Sequence, residues 1–233
     1  MLILAFETSA KAASTALLED EKLLGESYQN SGLTHSVTLL KMAEDLLANC
    51  DKKVEDVTAV AAAAGPGSFT GIRIGVSAAK GLAWGRDIPC VGVSTLEAMA
   101  MGVFLEDGIL CPVMDARRSQ VYNALFLAKG EERVRITKDR AISLSDLEKD
   151  LQNQEKNIFL VGDGANLCYN TLGDFGGKLR LLPEHCRQQR AVGVALAAKK
   201  RLLAGESPSG AEMVPNYLRL SQAERERLER LGQ

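Results

Sequence analysis

The sequence predicts an α/β fold made of two lobes that share one plan. The order strand, strand, strand, helix, strand, helix occurs in the first half of the chain and again in the second half. The chain has 233 residues, which is enough for two lobes of about 100–120 residues each. We expect the lobes to span residues 1–105 and 106–233. The alternative is one undivided α/β domain in which the order recurs by coincidence.

In the first lobe, alternating apolar residues predict the strands, and apolar residues three and four positions apart predict the helices. The predicted elements, in chain order, are strands 2–7, 13–18 and 22–28, helix 34–49, strand 57–64, helix 68–84, strand 89–93 and helix 95–104.

The same patterns in the second lobe predict strands 109–115, 121–127 and 132–137, helix 145–154, strand 158–162, helix 165–172 and helix 191–204. The charged stretch Lys129–Arg140 is typical of an exposed hairpin. Ser221–Leu231 alternates Glu and Arg at helical spacing, which is typical of a solvated helix. The repeated order suggests ribonuclease-H-like lobes, as in the actin, sugar-kinase and Hsp70 (ASKHA) superfamily.

Composition narrows the classes of function. The net charge of −2 and the aromatic content of 5% argue against a stand-alone RNA binder, since such proteins carry a strong basic excess. If the protein acts on RNA, we expect a partner to supply the attraction. No apolar run reaches the roughly 18–20 residues of a membrane span. The five cysteines include no CxxC pair, which favours reduced thiols in the cytoplasm.

The most informative segment is Gly65-Pro-Gly-Ser-Phe-Thr-Gly-Ile-Arg-Ile-Gly75, here called the glycine string, which follows an apolar strand. Pro66 fixes φ, and Gly65 and Gly67 can adopt conformations closed to other residues. Ser68 is a candidate N-cap for the next helix. A strand, a glycine turn and a helix start can hold an anion on free N–H groups. The alternative is a tight strand-to-helix turn.

The whole string, which includes Gly71 and Arg73, resembles the hallmark segment of the TsaB (YeaZ-like) family. Supporting likenesses are Glu7-Thr8-Ser9, Pro112-Val-Met-Asp-Ala-Arg117 and Pro215-Asn-Tyr-Leu-Arg219. The resemblance implies a non-catalytic subunit of the complex that makes threonylcarbamoyladenosine on the tRNA adenosine next to the anticodon.

In that picture the chain binds and stabilises the catalytic relative TsaD, and the ATPase TsaE binds the pair. The chain alone would form a homodimer, tRNA would reach it only through the complex, and no membrane is involved. The resemblance implies no cofactor of its own, with ATP or ADP held at the boundary with TsaD.

Candidate nucleotide-binding residues follow from the ASKHA plan. Glu7 and Asp115 end equivalent strands of the two halves and are candidate facing carboxylates. Gly162 and Gly164 form a strand-to-helix turn that resembles the adenosine-contacting turn of TsaD. The turn after Asp115 carries arginines where an ATPase of this kind has glycines. Each carboxylate has a second interpretation, as a turn residue that caps its own backbone.

An active enzyme is therefore the alternative, either an ATP-dependent kinase-like or a metallopeptidase-like protein that uses Glu7 and Asp115. Metal ligands are scarce in the sequence, which has two histidines, His35 and His185. TsaD carries a His-x-x-x-His pair where this chain has Thr95 and Met99, and these side chains cannot replace two imidazoles. We predict no metal site and no catalytic residue.

Helices 34–49 and 68–84 carry more apolar surface than one sheet can cover. The excess predicts a face completed by another subunit. The residues assigned to this face are Val37, Leu40, Leu47, Ile72, Val76 and Leu82. The alternative is that the two helices bury each other and the second half covers the rest.

Overall fold

The computed structural model describes residues 1–219, which form two α/β lobes. The elements of the first lobe are β1 (Leu2–Glu7), β2 (Ala13–Glu19), β3 (Lys22–Gln29), α1 (His35–Asn49), a 3₁₀ turn (Val54–Asp56), β4 (Ala59–Gly65), α2 (Phe69–Trp84), β5 (Cys90–Ser94) and α3 (Thr95–Met101).

The first sheet has the order β3-β2-β1-β4-β5, with β1, β4 and β5 parallel. Every residue of β1 and β4 is buried, as expected for central strands that are covered on both faces. Helices α1 and α2 pack on one face and supply the apolar core there. On this face, the end of β1 is covered by α1 and α2.

The second lobe repeats the plan. Its elements are β6 (Asp107–Asp115), β7 (Gln120–Asn123), β8 (Phe126–Lys129), β9 (Glu132–Arg135), β10 (Arg140–Ser143), α4 (Leu144–Gln152), β11 (Ile158–Val161), α5 (Ala165–Thr171), β12 (Leu179–Leu181), α6 (Glu184–Arg187) and α7 (Ala191–Leu203). The sheet order β10-β7-β6-β11-β12 matches that of the first lobe. The predicted two-lobed α/β fold is confirmed.

The strand predicted over 121–127 is longer and interrupted. Strands β7 and β8 pair with β6 in one register, since Leu110 opposes Phe126 and Val113 opposes Asn123. The interruption lies opposite Pro112, which has no N–H for the ladder. The side-chain amide of Asn123 fills the gap by donating to the carbonyls of Pro112 and Ala124, at 3.0 and 3.1 Å.

The prediction for the next strand, 132–137, is wrong in its extent. The chain forms β9 beside β8, leaves the sheet, and returns as β10 beside β7. The predicted exposed hairpin Lys129–Arg140 also needs correction, because Arg133 is buried. Its guanidinium donates to the carbonyls of Ala100 and Val103, which ties the hairpin to the end of α3.

The predicted lobe limits, 1–105 and 106–233, are corrected by the packing of α7. Its small residues pack on the first sheet, against β1, β2 and β4. Residues 213–219, here called the C-terminal segment, also return to the first lobe, where the amide of Asn216 donates to the carbonyl of Ala64. The sequence distance between these pieces hid the contact.

Within residues 1–219, no helix is both long enough and apolar enough to cross a membrane. The solvated helix predicted for Ser221–Leu231 lies outside the described residues.

Candidate functional site

The glycine string joins β4 to α2 and lies against the turn after β1. The Ser68 hydroxyl accepts a hydrogen bond from the amide of Gly71 at 3.2 Å, which confirms Ser68 as the N-cap. The Ser68 amide donates to the carbonyl of Ser9 at 2.7 Å. This amide is thus engaged by the protein itself.

Two glycines of the string allow α2 to approach β1 closely. A methyl group at Gly71 would clash with the carbonyl of Thr8, and one at Gly75 would lie 2.5 Å from the Thr8 hydroxyl. That hydroxyl donates to the carbonyl of Gly71 at 2.8 Å. The tight-turn alternative therefore accounts for these glycines without a bound anion.

Glu7 lies at the end of β1 and is buried. Its Oε1 accepts a hydrogen bond from the amide of Ser9 at 2.6 Å, while its Oε2 has no partner within residues 1–219. Burial raises the pKa of Glu7 to about 7, although hydrogen bonding from Ser9 lowers it. The carboxyl group of Glu7 is therefore cut off from the water that would otherwise stabilise its ionised form.

Asp115 ends β6, the strand equivalent to β1, and is exposed. Its Oδ1 accepts a hydrogen bond from the amide of Arg117 at 2.7 Å. Both candidate carboxylates thus cap the amide two residues further along, as the second interpretation predicted.

Asp163 is the carboxylate that acts on Glu7, and its charge helps to raise the pKa of Glu7. Loss of solvent, together with the nearby charge of Asp115, also raises the pKa of Asp163. Its Oδ1 accepts a hydrogen bond from the side chain of Gln189 at 2.7 Å. Glu7 and Asp115 thus both lie close enough to Asp163 for their charges to interact. The charge of Lys11 opposes that of Asp115 at Asp163.

The turn with Gly162 and Gly164, predicted as a candidate adenosine contact, has both glycine amides bonded within the protein. The amide of Gly162 donates to the carbonyl of Arg187 at 2.7 Å, and that of Gly164 donates to the carbonyl of Val113 at 3.1 Å. A methyl group at Gly162 would clash with Val113. Both glycines serve the close packing of this turn on β6, so neither amide points to a ligand.

The side chains at the positions that correspond to the TsaD histidine pair belong to the buried core. Thr95 and Met99 are buried, and Met99 packs with Met114 and other apolar residues between the lobes. His35 is half-buried, with Nε2 2.9 Å from the carbonyl of Ala10. Among residues 1–219, no three His, Cys, Asp or Glu side chains lie close enough together to hold a metal ion.

One open feature of the first lobe is a groove of about 540 Å³ between α1 and α2, here called the α1–α2 groove. Its lining includes Leu39, Leu40, Ile74 and Ala78. Leu40 is 56% exposed, and Val37, one turn before it, is 76% exposed. Two large aliphatic side chains in solvent beside an apolar groove are typical of an interaction site.

The assignment to the partner face is wrong for three of the six residues, because their side chains are buried. Leu47, Ile72 and Val76 are buried in the core of the first lobe. Leu82 is half-buried against the same core. The helical wheel gave the width of the apolar surface but not the direction of the sheet, so the prediction mixed the two faces. Val37 and Leu40 remain on the outer surface, as predicted.

Sequence reasoning gave the C-terminal segment no part in a site. Tyr217 stacks on Phe69 of the glycine string, with ring centroids 4.3 Å apart and planes 12° from parallel. Arg73 donates from Nε to the Tyr217 hydroxyl at 2.8 Å. The signal was present in the sequence as two motifs, at residues 65–75 and 215–219, but nothing in their spacing placed them together.

A protein-family model described as TsaD: tRNA N6-adenosine threonylcarbamoyltransferase matches residues 29–227. The chain is similar to the tRNA threonylcarbamoyladenosine biosynthesis protein TsaB of Bacillus subtilis (strain 168). The two are 33% identical over 225 residues, which are 96% of each chain.

Two solved structures extend the likeness of fold. YeaZ from Pseudomonas aeruginosa matches with a TM-score of 0.74 at 23% identity, over 93% of this chain and 99% of that one. Component A of (R)-2-hydroxyglutaryl-CoA dehydratase from Acidaminococcus fermentans matches with a TM-score of 0.52 at 13% identity, over 87% and 99% of the two chains. At these identities the likeness concerns the fold alone.

Proposed function

The chain belongs to the TsaB (YeaZ-like) family of tRNA threonylcarbamoyladenosine biosynthesis proteins, and we propose that it acts there as a non-catalytic subunit. In this role it binds and stabilises the transferase TsaD, which forms threonylcarbamoyladenosine on the tRNA adenosine next to the anticodon. Its own contribution is a binding surface on the first lobe.

The observation that carries this proposal is the α1–α2 groove. Val37 and Leu40 place apolar surface in solvent, and removing such surface from water is worth about 25 cal/mol per Å². A helical partner that laid its own apolar residues along the groove would gain this energy. The same surface would pair two copies of the chain when TsaD is absent.

Catalysis between the lobes is disfavoured by how the chain fills that space. Glu7 is enclosed, and the glycine-turn amides are bonded to the protein itself. Burial raises the pKa of Cys90 to about 11 and that of Cys168 to about 12, so neither thiol offers a thiolate nucleophile at neutral pH.

The remaining parts of the proposal concern the assembly. The ATPase TsaE binds the pair formed by this chain and TsaD, and ATP or ADP is held at the boundary between those two subunits. The tRNA reaches this chain as part of the complex, in the cytoplasm.

One observation favours the enzyme alternative, namely that burial raises the pKa of Glu7 to about 7, since carboxylic acids with such pKa values serve as general acids or bases. Isothermal titration of the isolated chain with Mg-ATP tests it. Micromolar binding with turnover would favour the kinase-like alternative, and a stoichiometric metal bound after purification would favour the metallopeptidase-like one.

The proposed function is tested by mixing the chain with TsaD of the same organism. Light scattering measures the mass of the complex, and threonylcarbamoyladenosine on added tRNA measures activity. We expect Val37→Ser with Leu40→Ser to abolish the complex and the stimulation of activity. The chain carrying Glu7→Gln with Asp115→Asn should match the unmodified protein in both measurements.

A matched control is the pair Phe104→Ser and Leu203→Ser. These residues are 74% and 70% exposed, so they remove similar apolar surface outside the groove. If this control pair abolished the complex and the groove pair did not, the assignment of the surface would be wrong.

A further inference from the structure

The turn between β6 and β7 has an unusual backbone. Arg117, Arg118 and Ser119 have φ values of 61°, 55° and 55°, in the left-handed region that disfavours residues with a β-carbon. Each such residue costs roughly 1–2 kcal/mol relative to the right-handed conformation. Glycine would remove this cost, yet the chain has two arginines here, and both are exposed. Strain of this kind is often retained for function.

A second cationic group lies beside the stacked rings of Phe69 and Tyr217. The guanidinium carbon of Arg73 lies 5.5 Å from the Tyr217 ring centroid and 6.0 Å from that of Phe69. The Nε of Arg73 donates to the Tyr217 hydroxyl. An arginine whose guanidinium is already held by rings and a hydroxyl loses less conformational entropy when it binds a further group.

The C-terminal segment brings these two features together. Arg219 follows Tyr217 by two residues, a span of at most about 7 Å. Its Nη1 donates to the carbonyl of Ala116 and lies 3.5 Å from that of Arg117. The rings on the first lobe and the arginine turn on the second therefore flank one short segment. We call Arg73, Arg117 and Arg118, with the stacked rings, the basic ridge. Arg73 also lines the α1–α2 groove, so the test of RNA binding uses Arg117 and Arg118.

We propose that the basic ridge binds the phosphodiester backbone of RNA. The inference rests on the proposed function, because it assigns to this chain a direct contact with the RNA that the complex modifies. Arginine forks bind phosphate oxygens through paired hydrogen bonds. Tyr217 is 37% exposed, and an unpaired base can stack on the open face of an aromatic ring.

The distribution of charge favours a nucleic acid strand over a mononucleotide. The cations lie on both lobes, on either side of the C-terminal segment, and do not converge on one pocket. Asp115 accepts from the amide of Arg117 and interacts electrostatically with Asp163, so negative charge lies next to the arginine turn and disfavours a triphosphate at this point. The chain has a net charge of −2, so its RNA contact is local and adds to that of the partner.

The test uses the complex of this chain with TsaD and an unmodified tRNA transcript, with binding measured at several salt concentrations. We expect Arg117→Glu with Arg118→Glu to weaken RNA binding about five- to twentyfold near physiological salt and to lower the salt slope by about one to two. The complex mass, measured by light scattering before RNA is added, should stay unchanged.

Lys22→Glu with Lys129→Glu is the control of equal charge change. Both lysines are exposed and lie at the opposite ends of their sheets from the basic ridge. A second variant, Arg117→Gly with Arg118→Gly, relieves the backbone strain. It should weaken RNA binding without lowering the melting temperature, which separates recognition from folding.

The outcomes are distinct. RNA affinity within twofold of the control variant, with an intact complex, overturns this inference and leaves the proposed function standing. A loss confined to ATP binding, with RNA binding unchanged, also overturns it. Failure of the unmodified chain to form a complex with TsaD contradicts the proposed function itself.

Discussion

Glu7 and Asp115 occupy equivalent places in the two lobes and form the same local hydrogen bond, yet their surroundings are opposite. Each ends the first strand of its sheet and accepts the amide two residues further on. Glu7 is enclosed, and burial raises its pKa to about 7, whereas Asp115 lies in solvent. The local motif is therefore common to both lobes, and only the packing around it differs.

The difference arises from what covers each turn. In the first lobe the glycines of α2 let the helix close over Thr8, the residue that follows Glu7. In the second lobe the turn bends through left-handed arginines and stays open. The turn of the first lobe is therefore closed by a helix, while the equivalent turn of the second lobe is exposed to solvent.

The largest expected effect contrasts buried and exposed positions on the two helices that line the groove. Val76→Glu places a charge in the core, and we expect it to lower the free energy of unfolding by about 4 kcal/mol or more. Leu40→Glu should change it by under about 0.5 kcal/mol. Urea denaturation followed by circular dichroism measures both. Equal effects would show that the groove is part of the core.

The next contrast is between two glycines of α2. Gly71→Ala introduces a clash with the backbone of Thr8 and should destabilise the protein by about 1–3 kcal/mol. At Gly81 a methyl group meets no atom within 4 Å, so Gly81→Ala should stabilise the helix by about 0.5–1 kcal/mol. Thermal melting distinguishes them. A Gly71→Ala variant with an unchanged melting temperature would mean that α2 does not pack closely against the end of β1.

Glu7 and Asp115 are expected to contribute differently to the pH dependence of the protein's stability. The pKa of Glu7 rises from 4.5 to about 7 on folding, so between these values the folded state binds more protons and stability falls as pH rises. Glu7→Gln removes this dependence and should stabilise the protein at pH 8 by about 2–3 kcal/mol, with little effect near pH 4.5.

Asp115→Asn is the control for this measurement, because an amide oxygen can accept the same hydrogen bond in solvent. Urea unfolding at several pH values between 4.5 and 8 provides the data. A Glu7→Gln variant that keeps the full pH dependence of the unmodified chain would show that Glu7 is solvated.

The smallest expected effect concerns the C-terminal segment. Tyr217→Phe keeps the stacked rings but removes the hydroxyl that accepts from Arg73. We expect a loss of about 0.5–1.5 kcal/mol, visible in the melting temperature. Arg73→Gln should lose a similar amount, and the double variant should lose little more, because both changes break one bond.

The sequence alone predicted most of the fold, because strand alternation and helical spacing are local. It placed the Ser68 cap correctly and assigned both carboxylates a capping alternative. It missed the return of α7 and the C-terminal segment to the first lobe, since neither contact leaves a local signature. Strands β9 and β10 were missed as a pair because the departure from the sheet at 136–139 has no distinctive composition.

The candidate site was harder to predict than the fold. A wheel shows how wide an apolar surface is, but the direction of the sheet decides which part is buried. Ile72 and Val76 face the sheet, whereas Val37 and Leu40 face solvent. Likewise, the glycines of the string were read as a cradle or a turn, and only the neighbouring Thr8 decides between them.

Hydrogen–deuterium exchange of the chain, alone and with TsaD, tests the central claim most directly. The account predicts slower exchange along α1 and the first half of α2 when TsaD is added. It predicts no change at residues 7–10 and 162–165, with or without Mg-ATP. Slower exchange at those cleft residues, together with unchanged exchange along α1, would contradict the account.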